Sequence, residues 1–156
     1  MKTTVIESNI RHVSPVARQM RQADLMEIQA VGTSSPYQAL WNGYHYSQPN
    51  GYTLMFDDKP VAMFGVAPKE DGDNRVGVIW LLGTDDITEN PIHFLRISRK
   101  FLPTLMEPYD MVCNIVDARN KVHIKWMKWL GFKFIRKIKF GPENRDFWEF
   151  AEVNHV

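Results

Sequence analysis

The spacing of apolar residues changes period repeatedly along the chain, and each change marks an element. Two runs are almost continuously apolar: Val76 to Leu82, VGVIWLL, and Met111, Val112, Cys113, Ile115 and Val116. Runs of this kind predict strands covered on both faces of a sheet. Tyr52 to Phe56, the turn Asp57-Asp58-Lys59, and Val61 to Val66 predict a hairpin. Thr3 to Ile6 can form a short first strand. In FKFIRKIKF, Phe132, Phe134, Ile138 and Phe140 alternate with Lys133, Ile135, Lys137 and Lys139, a period-two strand with one wet face. A turn at Gly141-Pro142-Glu143-Asn144 leads into a closing strand from Asp146 to Val153.

Helical periods fill the gaps. Ser14-Pro15 is a helix start, serine as N-cap and proline in the first turn, for a helix running to about Val31 and stopped by Gly32. Val16, Met20, Ala23, Ala30 and Val31 share a face, which Glu27 interrupts. Ser35-Pro36 repeats the start signal for a shorter helix containing Gly43. That segment gathers Tyr37, Trp41, Tyr44, His45 and Tyr46, which suit either a pocket mouth or the edge of a core. Asn90-Pro91 opens another helix with an apolar arc of Phe94, Leu95, Ile97, Phe101, Leu102 and Leu105, which Pro103 should kink or end. Asn120 caps a helix over Lys121–Leu130, and Gly131 ends it at C′, where a left-handed backbone favours glycine. The order is β-α-α-β-β-β-α-β-α-β-β, an α/β protein with a mixed, α+β-type sheet. The crossover between strands 76–82 and 110–116 makes that pair parallel. One domain over residues 1–156 accommodates all of it.

Composition narrows the function classes. No apolar stretch approaches the roughly 20 residues of a membrane span, and the first twelve residues carry no apolar signal core, so neither a membrane nor a signal-peptide route is expected. The single cysteine, Cys113, lies in an apolar strand and predicts a buried residue in a reducing compartment. Charge is uneven: residues 57–90 hold eight acids and three bases, residues 91–140 eleven bases and three acids. Lys121, Lys125 and Lys128 form one helical stripe, and Lys133, Lys137 and Lys139 one strand face. With Arg96, Arg99 and Lys100 they offer a surface for nonspecific DNA phosphate contact or an acidic protein. The bland alternative is a set of solvated faces.

Candidate chemistry gathers at the carboxyl ends of the two parallel strands. Asp117, Asn120, His123 and His93 can all approach that region. A histidine there can act as general base near neutral pH. Against this, His123 projects into an apolar arc of Val122, Ile124, Trp126, Met127 and Leu130, where a hydrogen-bonded core histidine is the commoner outcome; His93 sits on a polar side. No residues show metal-ligand spacing, and no P-loop or nucleophile-elbow motif is present.

The element order, with Asn120 after the fifth strand and Leu130-Gly131-Phe132 entering the sixth, resembles the GCN5-related N-acetyltransferase (GNAT) fold. That resemblance implies an acetyl-CoA site in which glycine-rich backbone amides between the fourth strand and the following helix cradle the pyrophosphate. The corresponding positions here are Leu82, Gly83 and Thr84, with Asn120 opposite. The turn continues through Asp85, Asp86 and Glu89 to Pro91, with three acids and one glycine. The resemblance also implies a tyrosine seven residues after the asparagine to protonate the leaving thiolate, and Met127 stands there. Both departures argue against CoA and against an enzyme. More narrowly, ESNIRHVSPVARQMR and VDARNKVHIKWMKWLGFKFIR resemble the small internal virion, or core-assembly, proteins of short-tailed coliphage-like viruses. That resemblance implies a non-enzymatic assembly role with core or portal proteins as partners, in the host cytoplasm and then the virion, on an acetyltransferase scaffold without a cofactor. The alternative is an acetyl-CoA-dependent N-acyltransferase with a divergent cofactor loop.

Overall fold

The computed structural model describes residues 1–33, 35–69 and 75–154. Seven strands form one mixed sheet: β1 (Thr3–Glu7), β2 (Gly51–Phe56), β3 (Lys59–Pro68), β4 (Val76–Gly83), β5 (Met111–Asp117), β6 (Lys133–Phe140) and β7 (Arg145–Val153). Their spatial order is β1-β2-β3-β4-β5-β7-β6, with β4 and β5 as the parallel pair. The hairpin at Asp57 is present, with that residue at φ 53°. β7 inserts between β5 and β6, so the last hairpin returns into the sheet instead of extending it. Most of the polar loop expected between β3 and β4 falls on residues 70–74, outside the described residues.

The helices are α1 (Val13–Arg18), α2 (Gln22–Ala30), α3 (Pro36–Ser47), α4 (Asp85–Glu89), α5 (Pro91–Met106) and α6 (Lys121–Trp129). Alternation along the strands sends side chains to two cores. Met63, Trp80 and Leu82 pack with α1–α3 on one face. Phe64, Ile79 and Leu81 pack with α5 and α6 on the other. The sheet is therefore the middle of three layers.

Several expectations change. The first long helix is two: the chain breaks after Arg18, Met20 forms an isolated bridge with Thr84, and the Arg21 N–H donates to the Gly83 carbonyl at 3.0 Å. The end of β4 thus captures backbone that would otherwise be helical. The start lies earlier as well: a 3-10 turn at Ile10–His12 leads into α1, and Asn9 caps that turn, its side chain accepting from Arg11 N while the Asn9 N–H donates to His12 Nδ1. Short helix α4 was not foreseen. α5 continues through Pro103 to Met106, and Asn90 does not cap it with its side chain. Val122, assigned to the apolar arc of α6, is 75% exposed. Cys113 is half-buried.

The signals around α6 hold. Asn120 Oδ1 accepts the His123 N–H at 3.2 Å, and Gly131 closes the helix at φ 101°. Asn120→Ala should lower stability by about 1 kcal/mol, read as a lower denaturant midpoint at unchanged slope.

Candidate functional site: a cleft where the sheet opens

β4 and β5 pair only at Val76–Met111, Gly77–Val112 and Val78–Cys113. Beyond that point they splay, and a cavity of about 340 Å³ opens between them and through the sheet. Asn114 marks the parting: its side-chain N–H donates to the Ile79 carbonyl at 2.6 Å, supplying a partner that β5 no longer provides. The walls are mostly apolar, including Leu81, Phe94, Ile97, Phe101 and Leu102 on the α5 side and Ile28, Val31, Ala39 and Gly43 on the other. Gly43 is required there, since a Cβ would lie 2.7 Å from the Trp80 ring.

Helix α2 closes the wide end of the wedge. Asp24 and Glu27, three residues apart and so on one side of the helix, each hold one strand end. Asp24 accepts the Gly83 N–H at 2.8 Å and Arg21 Nε at 2.9 Å. Glu27 accepts the Asp117 N–H at 2.9 Å and Asn120 Nδ2 at 3.2 Å. Burial raises the Asp24 carboxyl, with Arg21 pulling it back down. Burial also lifts Glu27 to about 7, outweighing the hydrogen bonds from Asp117 and Asn120. A carboxyl poised near neutrality on the wall of a cleft is suited to exchanging a proton with a bound ligand.

Along β4, backbone groups on the cleft edge alternate with those paired to β3. Thr84 N–H donates to Val61 in β3, so Ile79, Leu81 and Gly83 face the cleft. Ile79 and Gly83 are engaged as described. Among the described residues, the Leu81 N–H and carbonyl are therefore the pair left for an incoming group.

On α6, His123, Trp126, Met127 and Leu130 line the opposite wall. Burial, helped by the positive charge of Arg21, pushes His123 down to about 3, so its imidazole is neutral at physiological pH. The hydrogen-bonded core histidine expected from the sequence is not what is found: Nδ1 is buried without a hydrogen-bond partner among the described residues. Trp126 Nε1 is equally unpartnered, and the two rings meet edge to face at 5.1 Å. Met127 is 2% exposed and has no proton to give. Ser98, also on the wall, spends its hydroxyl on the Phe94 carbonyl at 2.7 Å. Tyr109 packs against Gly77 at the closed end and does not line the cavity.

The sequence candidates separate. His123 and Leu82 line the cleft; Asn120 does not, but its Nδ2 donates to Glu27 on the wall. Asp117 contributes its N–H, while its side chain is buried in a forked pair with Arg119, shortest contact 2.6 Å; burial would raise this carboxyl, but Arg119 holds it below its usual value. His93 is exposed beside Phe56 and away from the cleft. Thr84 is buried and caps α4 by accepting from Asp86 N. Gly83 allows Ile87 of α4 to pack close, where a Cβ would meet Ile87 Cδ1 at 2.8 Å. The three acids of that turn do not line the cleft: with Gln19, Met20 and Lys59 they line a separate hollow, and Asp86 pairs with Lys59 at 3.0 Å. Sequence reasoning missed Asp24, Asn114 and, above all, Glu27 as site residues. The signal for Glu27 was a charge standing in an apolar helical face.

The basic surface is exposed but partly engaged. Arg99 lies 3.6 Å over the Trp129 ring, Lys128 5.4 Å over Phe134 and Lys137 5.3 Å over Trp148. Aromatic rings thus underlie these three cations. Lys139 pairs with Asp146 at 2.6 Å. Arg96, Lys100, Lys121, Lys125 and Lys133 make no ion pair among the described residues. No described helix is long and apolar enough to cross a membrane.

A seven-stranded mixed sheet, splayed at its one parallel pair and layered by helices on both faces, is the GNAT fold. Solved structures match it along nearly the whole chain. Ard1 from Thermoplasma volcanium superposes with TM-score 0.71 at 11% identity, covering 100% of both chains. The ribosomal-protein-S18-alanine N-acetyltransferase from Escherichia coli gives 0.65 at 13%, covering 97% of this chain and 94% of that one. An aminoglycoside acetyltransferase in complex with coenzyme A gives 0.70 at 10%, covering 98% and 95%. No protein-family model matches the sequence, and no curated protein matches it.

Coenzyme A can be tested against these residues in two halves. The acyl-bearing arm fits: the cleft is narrow, apolar and open to one backbone amide pair at Leu81. The nucleotide diphosphate does not fit. Where glycine amides would cradle it, α4 fills the turn, Ile87 occupies the space beside Gly83, and Pro91 removes an amide donor from the first turn of α5.

Proposed function

We propose that the chain is an N-acyltransferase that holds an acyl thioester in the β4–β5 cleft and uses Glu27 as general base toward an amine acceptor. The observation that carries this reading is the Glu27 carboxyl itself, on the wall of the cleft where β4 and β5 part and held by Asp117 N–H and Asn120 Nδ2; burial lifts it to about 7. As the amine nitrogen bonds to the acyl carbon, Glu27 takes the nitrogen's proton and the carbon–sulfur bond breaks. The thiolate leaves and takes a proton from water, because Met127 has none to offer. Neutral His123 adds no competing positive charge. The test is amine-dependent release of free thiol from short acyl thioesters across a panel of primary amines. Release above the thioester's spontaneous hydrolysis supports the reading, and no amine-dependent release from any donor sinks it. Met127→Tyr, which places a hydroxyl at the leaving-group position, should raise turnover about tenfold or more.

A second reading, a particle-core assembly role without catalysis, would use the cations Arg96, Lys100, Lys121 and Lys125, which make no ion pair among the described residues and suit an acidic protein surface. Copurification with core or portal proteins, lost on charge reversal of Lys100 and Lys125, would favour it. Contact with DNA through the same surface predicts binding that collapses as salt rises.

A further inference from the structure

We infer that the acyl donor is recognised through a pantetheine arm alone, with nothing gained from a nucleotide diphosphate; this rests on the acyl-transfer reading above. A pantetheine arm is neutral, extended and amide-bearing. The cleft offers apolar walls and, on β4, the N–H and carbonyl of Leu81 as the open backbone pair between the engaged Ile79 and Gly83. An extended amide chain can pair there as an added strand would.

The far end of the same strand shows the opposite. The turn after Gly83 is a short helix with two acids in its first turn, Asp85 and Asp86. Three of its backbone donors are engaged: Thr84 N–H on Val61, Asp86 N–H on the Thr84 hydroxyl, and Ile87 N–H on the Thr84 carbonyl. Lys59, the cation beside this helix, is paired with Asp86. A diphosphate brought here finds α4 in place of a glycine-rich turn, Ile87 packed against Gly83, and no N–H at Pro91, the first residue of α5.

The arm has two sources, a free pantetheine thioester and the prosthetic arm of a carrier protein, whose acidic surface would complement Arg96, Lys100, Lys121 and Lys125. Titration calorimetry of the full chain with pantetheine, coenzyme A and a phosphopantetheine-loaded carrier protein tests this. Pantetheine and coenzyme A should bind within about threefold of each other, with coenzyme A the weaker at low salt. A carrier protein binding about tenfold tighter than pantetheine identifies the carrier as the source; equal or weaker binding identifies the free thioester. Leu102→Trp, on the cleft wall, should abolish pantetheine binding with the circular dichroism spectrum retained. Coenzyme A binding about tenfold tighter than pantetheine overturns the inference and leaves the acyl-transfer reading standing. Absence of binding by all three probes overturns both.

Discussion

Replacing Glu27 with glutamine should lower amine-dependent acyl transfer by about 10²–10⁴-fold and, at neutral pH, make the protein more stable. The two effects share one cause. Burial raises the folded pKa from 4.5 to about 7. The folded state therefore holds a proton that the unfolded chain releases between those values. Stability contributed by this group is full below 4.5, falls as pH rises toward 7, and is flat above. The linked penalty on the ionised side is about 3 kcal/mol as an order of magnitude. Glutamine keeps an oxygen for the Asp117 N–H and Asn120 Nδ2 but carries no charge to desolvate. Denaturant midpoints at pH 5 and pH 8 check this: the advantage of Glu27→Gln should be small at the lower pH and large at the higher. Turnover of the unmodified chain should rise with pH through about 7. A flat profile between pH 6 and 8, or a glutamine variant with full activity, removes Glu27 from the mechanism.

Phe147→Ala should cost about 3–5 kcal/mol, the largest stability loss expected from one core truncation. Phe147 is fully buried on β7, the strand between β5 and β6, and packs edge to face with Phe140 at 5.8 Å. Its register partners are Asp117 on one side and Ile138 on the other. Truncation leaves a cavity that the paired strands cannot collapse around. Chemical denaturation should show a lower midpoint at unchanged slope. A loss below about 1 kcal/mol would show that neighbouring side chains refill the space.

Local signals made much of the fold legible. Ser35-Pro36, Asn120 and Gly131 act within a few residues of themselves, and the structure uses each as its chemistry suggests. The apolar runs at Val76 and Met111 gave the parallel pair because a helical crossover leaves few alternatives. The misses came from distant partners. Nothing near Met20 announces that Thr84 will draw it out of a helix. Likewise, the acids at 85, 86 and 89 look like neighbours of a phosphate until α4 is seen to turn them toward Lys59. Glu27 had a visible signal, but a charge among apolar positions does not say what it will hold. Its partners, Asp117 and Asn120, lie 90 and 93 residues away along the chain.

The parting of β4 from β5 gives this sheet an edge in its interior. Sheet edges invite strand addition by other chains, and proteins blunt them with charge or cover. Here the blunting comes from within: the amide of Asn114, the carboxylates of Asp24 and Glu27, and the N–H of Arg21 each engage a backbone group that the missing ladder would have paired. What remains unblunted on β4 is Leu81. The same groups that shape the pocket thus guard the molecule against self-association, and loosening α2 should show first as aggregation.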